Sequence, residues 1–119
     1  MGLDFSHGEA RWAYSGFMRF RSMLAETLGY DVPLHEMYGN NTHDIMKDEA
    51  IWPLINHSDC EGELTVAEME QILPQLKAIV AAWEAGYLVT DVTSEIQRAS
   101  NLIESMEFAI EDNESLGFC

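Results

Sequence analysis

Between His57 and Glu68 the chain reads HSDCEGELTVAE, which sets Asp59, Glu61, Glu63 and Glu68 around Gly62. Carboxylates at alternate positions of a tight turn can converge on one hard cation, because calcium is held by several oxygen ligands. His57 and Cys60 add an imidazole and a thiol, donors that suit a softer ion. Thr65 and Glu68, three residues apart, also form the capping box that starts a helix. Three chemistries therefore compete for the same residues: a calcium loop, a transition-metal site and a charged turn leading into a helix.

The calcium reading has a definite frame. With Gly62 at the sixth place of the twelve-residue loop, His57 is first, Asp59 third, Glu61 fifth, Glu63 seventh, Thr65 ninth and Glu68 twelfth. Glu63 then ligates through its backbone carbonyl, and Glu68 closes the shell in bidentate fashion. Leu64 fills the apolar place that follows. In this respect residues 57–68 resemble an EF-hand loop, and the resemblance implies calcium on Asp59, Glu61, Glu63, Thr65 and Glu68 within a helix-loop-helix. His57 departs from the pattern, since an imidazole replaces an oxygen donor. Glu61 is longer than the usual ligand at its place. No second such loop follows. The alternative needs no metal: Gly62 serves a turn, Thr65 and Glu68 form the cap, and Leu64 staples onto Met69.

Zinc wants three or four nitrogen or sulfur ligands in a tetrahedron. His57, Asp59 and Cys60 are neighbours, and His7, His35 and His43 lie elsewhere, but no spacing of the zinc-enzyme type joins them. His57 and Cys60 lack a third orienting group, so they do not make a nucleophile pair. The chain has no glycine-rich phosphate loop and no nucleophile elbow. The expectation is a protein without catalytic activity.

Charge bears on the choice of partner. The 119 residues carry 21 acids and six bases, a net charge of −15. Residues 1–30 are balanced, with Asp4, Glu9 and Glu26 against Arg11, Arg19 and Arg21. The rest of the chain sets eighteen acids against Lys47, Lys77 and Arg98. Such a field disfavours nucleic acid and anionic membranes and favours cations or a basic protein surface. Asp91, Glu95, Glu104, Glu107, Glu111, Asp112 and Glu114 fall largely at helical neighbour spacing. They read either as a solvated face or as an acidic ridge that mimics DNA phosphates and occupies a DNA-binding protein. Cys60 and Cys119 make no disulfide scaffold and no C-x-x-C pair, which fits a reducing cytoplasm. No signal peptide pattern opens the sequence, and no apolar run is long enough to span a membrane.

The elements that must position these residues are helical. Ala13, Phe17, Phe20, Leu24 and Leu28 recur with helical period, predicting a helix over 8–29 capped by Ser6 or His7 and stopped by Gly29. Short helical segments are expected from Pro33 to Tyr38, from Asp44 to about Ala50, and from Pro53 to Asn56. The clearest helix spans 65–85. Its stripe is Met69, Ile72, Leu73, Leu76, Ile79, Val80 and Trp83, with a kink or a break at Pro74. A last helix covers 91–112, with Val92, Ile96, Ala99, Leu102, Ile103, Met106 and Ile110 on one face. Residues 113–119 read as a tail, although Leu3-Asp4-Phe5 and Leu116-Gly117-Phe118 are short apolar ends that can pair. The expected fold is a mostly α, compact single-domain bundle of four to five helices across 1–119.

The pieces MGLDFSHGEARWAYSGFMRFRSMLA and WPLINHSDCEGELT, with the final Phe-Cys, resemble a small set of uncharacterised actinobacterial and actinophage proteins. The likeness covers nearly the whole chain. It carries no activity across, but implies a bacterial or phage origin and a cytoplasmic setting. The leading expectation is an acidic, non-catalytic protein-protein interaction module that binds a basic host partner. Calcium binding through 57–68 and DNA mimicry are the alternatives.

Overall fold

The computed structural model describes residues 2–8, 10–30, 48–55, 62–86 and 93–118. Four helices dominate the described chain: α1 (Tyr14–Thr27), α2 (Trp52–Ile55), α3 (Val66–Glu84) and α4 (Thr93–Glu111). Two small antiparallel pairs accompany them. β1 (Gly2–Asp4) pairs with β2 (Arg11–Ala13), with Leu3 opposite Trp12. β3 (Glu63–Leu64) pairs with β4 (Leu116–Gly117), with Leu64 opposite Leu116. The fold is mostly α, as the periodicity predicts. The segments expected between Pro33 and Lys47 lie outside the described residues, and Asp48 to Ala50 form turns and a bend rather than a helical end.

α3 is the spine. Its seven predicted stripe residues, Met69 through Trp83, are all buried. It runs as one helix through Pro74, so the two-helix alternative does not hold. Pro74 lies on the exposed face, where the lost N–H bond falls on the solvent side of the helix. α4 packs along α3 and buries Ala99, Leu102, Met106 and Ala109, with Ile96, Ile103 and Ile110 half-buried beside them. Three side-chain bonds tie the preceding segment to α3. Gln75 Nε2 donates to Glu49 Oε2 at 2.8 Å, the Ile51 N–H donates to Gln75 Oε1 at 2.8 Å, and Gln71 Nε2 donates to the Ala50 carbonyl at 3.1 Å.

α1 closes the core from the other side. Phe17, Phe20 and Leu24 are fully buried, and Phe20 meets Trp83 edge-on at 6.0 Å. Trp83 Nε1 donates to Thr27 Oγ1 at 2.8 Å, satisfying a buried indole at the end of α1. Arg21, one of the three bases that balance the first thirty residues, is fully buried. Its guanidinium stacks over the Phe17 ring at 4.6 Å, and its Nη1 donates to the Ile55 carbonyl at 3.1 Å. Arg21 thereby fixes α2 against α1.

Two expectations need correction. The first helix does not begin near residue 8: Arg11–Ala13 is a strand, and Ser6 and His7 lie in the connection between β1 and β2, not at a helix cap. Trp12 explains the difference. It is 3% exposed and stacks on Phe20 at 4.8 Å, a contact reached by turning the chain back on α1 rather than by extending it. Nor are residues 113–118 a tail, and Cys119 lies outside the described residues. Leu116 and Phe118 are buried, Phe118 bridges to Phe5, and the Phe118 N–H donates to the Gly62 carbonyl at 2.9 Å. Ser6 donates its N–H to the Gly117 carbonyl at 3.0 Å. The two apolar ends thus meet at the Phe5–Phe118 bridge, although Leu3 itself pairs with Trp12 and Leu116 with Leu64.

Candidate functional site

Of the twelve residues read as a calcium loop, the first five, from His57 to Glu61, lie outside the described residues, and with them Cys60 of the transition-metal reading. Gly62 has φ 88, a left-handed backbone that glycine adopts without strain. Glu63 stands opposite Gly117 with its side chain exposed, and Leu64 is buried in the core. Thr65 is the N-cap of α3: its Oγ1 accepts from the Glu68 N–H at 3.2 Å, and Glu68 Oε1 accepts from the Thr65 N–H at 3.0 Å. Leu64 and Met69, the two staple positions, are both fully buried. Glu68, the closing ligand of the calcium frame, is therefore engaged in the cap. Thr65→Ala is expected to lower stability by about 0.5–2 kcal/mol in calcium-free buffer with EDTA, because it orphans a helix N–H. Urea denaturation measures it, and an unchanged midpoint would remove the cap from the account.

A second group of chemistry-bearing side chains gathers beside β4. His7 Nε2 lies 3.1 Å from Glu114 Oε1 and 3.9 Å from Asp112 Oδ2. Ligating atoms of these three residues all fall within 4.8 Å of one another. Each is held by an identifiable device. The Ser6 hydroxyl bonds His7 Nδ1 at 2.8 Å and also accepts the Gly117 N–H at 2.8 Å. Asp112 and Glu114 flank Asn113, which has φ 56 and ends α4 in a Schellman turn: the Asn113 N–H donates to the Ile110 carbonyl and the Glu114 N–H to the Ala109 carbonyl, both at 2.9 Å. Glu63 and Ser115 line the same shallow cleft, about 470 Å³ in volume. The sequence offers little hint of this group. His7 is 107 residues from Glu114, and the only local signal is an asparagine between two acids where α4 stops.

A third feature lies on the opposite kind of surface. Along the α3–α4 seam runs an open groove of about 600 Å³, floored by Leu73 and Ile110, with the exposed Pro74 beside them, and rimmed by Glu70, Glu107 and Glu111. Lys77 is the one base in the lining, and its Nζ lies 3.0 Å from Glu107 Oε2. Phe108, on α4 next to the rim residue Glu107, is 45% exposed and is the exposed large hydrophobic among the described residues. Of the acids at helical neighbour spacing, Glu104, Glu107, Glu111, Asp112 and Glu114 are exposed, which suits a solvated face and an acidic ridge alike, and Asp91 lies outside the described residues. Glu95 departs from the others: it is buried, and its Oε1 accepts from Arg98 Nη1 at 3.2 Å.

Among the described residues no helix is long and apolar enough to cross a membrane. Comparison with protein-family models, with curated proteins and with solved structures finds no match to this chain.

Proposed function

We propose that the protein is a small acidic, non-catalytic interaction module that takes a basic, amphipathic segment of a partner protein into the α3–α4 groove. The observation that carries this reading is the groove's composition: an apolar floor within a carboxylate rim. Such a surface suits an apolar side chain flanked by lysines or arginines, with burial supplying affinity and charge supplying steering and register. Burial of Arg21 supports it, because the surface of the balanced first segment loses a base. So does the pairing of Lys77 and Arg98 with Glu107 and Glu95, which leaves those bases little free charge to offer an acidic partner. The setting proposed is the cytoplasm of an actinobacterium or its phage-infected cell, in keeping with the resemblance noted above.

An apolar floor favours this over DNA mimicry, in which a carboxylate ridge needs no hydrophobic anchor. The calcium alternative would require Glu68 to leave its cap. A synthetic amphipathic peptide with a leucine face and a lysine face tests the reading, against the same composition scrambled. The patterned peptide is expected to bind at least tenfold more tightly, a difference of about 1.4 kcal/mol. Raising the salt is expected to weaken it. Glu70→Lys with Glu111→Lys should abolish the preference. Equal binding of both peptides, or indifference to the charge reversals, would sink the groove as the docking surface.

A further inference from the structure

We propose that His7, Asp112 and Glu114 form a binding site for a divalent transition-metal ion of the zinc class, which clasps the Ser6–Gly8 segment to the end of α4. The donor set is one imidazole nitrogen and two carboxylates, which leaves a fourth tetrahedral position for water. Oxygen-only preference belongs to calcium and magnesium, whereas the imidazole points to zinc, cobalt and their neighbours.

Three features of the cluster suit a cation at this spot. The first is spacing. Ligand atoms around tetrahedral zinc, at bonds of about 2.0–2.2 Å, lie about 3.3–3.5 Å apart. His7 Nε2 already stands 3.1 Å from Glu114 Oε1 and 3.9 Å from Asp112 Oδ2. All three ligand atoms lie within 4.8 Å of one another, so the carboxylates must draw in by about an ångström; both are some 60% exposed and free to turn, whereas the His7 side chain is 17% exposed and held. The second is the support behind the imidazole. Metal-bound histidines donate their other ring N–H to an oxygen, which fixes the tautomer. Ser6 Oγ stands where that oxygen is needed, 2.8 Å from Nδ1 and itself anchored by the Gly117 N–H, and Nε2 faces the carboxylates. The third is the field. The C-terminus of a helix is its negative end and favours cations. α4 has no base in its last turn, and Glu111, Asp112 and Glu114 add charge of the same sign there. A bound dication reverses that repulsion.

The test uses the full chain and the metal alone. Cobalt titration is expected to give one saturable site with visible ligand-field bands and no thiolate charge-transfer band, displaced by zinc and not by calcium or magnesium. Zinc is expected to raise the melting temperature by several degrees. His7→Gln and Asp112→Asn should each weaken metal binding at least tenfold, while His57→Gln leaves it unchanged. Asp112 is exposed, so its variant reads the site even where His7→Gln unfolds. Absence of a saturable cobalt site, retention of full affinity in Asp112→Asn, or its loss in His57→Gln would each overturn the proposal. None of these outcomes depends on whether the α3–α4 groove binds a peptide.

Discussion

Phe118→Ala is expected to lower the stability of this protein by about 3–5 kcal/mol, the range for an aromatic removed from a core. The residue would be dismissed as part of a frayed end on sequence alone, yet it is 5% exposed. Its ring meets Phe5 edge-on at 4.8 Å and Phe17 at 6.1 Å. Edge-to-face pairs of this kind add to the burial itself. The loss is a large part of the roughly 5–15 kcal/mol that holds a typical domain together. Equilibrium urea unfolding measures it, with Phe108→Ala as the control. Phe108 is 45% exposed and should change stability by no more than about 0.5 kcal/mol. Equal effects of the two substitutions would mean that Phe118 does not pack in solution.

Gly8→Ala is expected to cost about 2–5 kcal/mol, for two separable reasons. Gly8 has φ +71, where any L side chain carries about 1–2 kcal/mol of backbone strain. A Cβ there would also collide with Ser105 Oγ and stand 3.1 Å from the α-carbon of Ser105, so α4 or the 5–10 connection must shift. Overpacking of that kind adds about 1–3 kcal/mol. Gly29→Ala isolates the first reason. Gly29 has φ +93 with nothing within 4 Å of the new methyl, so only the backbone cost applies. Gly8→Ala combined with Ser105→Ala should recover part of the loss, because the hydroxyl collision disappears while the crowding against the α4 backbone stays. A Gly8→Ala no more costly than Gly29→Ala would show that the connection does not press on α4.

What was legible in the sequence was whatever repeats locally. The Thr65–Glu68 cap and the α3 stripe from Met69 to Trp83 are found where a 3.6-residue period places them. α4 likewise buries Ala99, Leu102 and Met106. The helical turn after Ile51 follows from Pro53, which suits the first turn of a helix and not its middle. The strands were not legible, because two or three residues hold too few alternations to show a period of two. Arg11–Ala13 also continues the helical spacing of Phe17 and Phe20, so the pattern ran past the true start of α1. The candidate metal cluster was hidden for a stronger reason. His7 meets Asp112 and Glu114 only because β4 pairs with β3 and with the Phe5–Ser6 stretch, and tertiary adjacency of this kind leaves no local spacing to read. In the groove, the acids could be counted from sequence, but the apolar floor between two helices could not.

The bond between Ser6 and Gly117 spans 111 residues. Helical bundles usually fold fast because their contacts are local, and contacts this distant carry a loop-closure cost that is met late. The helices α3 and α4 can therefore assemble first, with the Phe5–Phe118 junction closing over a nucleus already formed. Destabilising that junction would then leave the refolding rate almost unchanged and accelerate unfolding. In a chevron plot, Phe118→Ala would lift the unfolding arm, whereas Leu102→Ala, at the centre of the helix pair, would lower the folding arm. On that outcome the junction is a latch whose strength sets how long the folded molecule lasts rather than how quickly it forms.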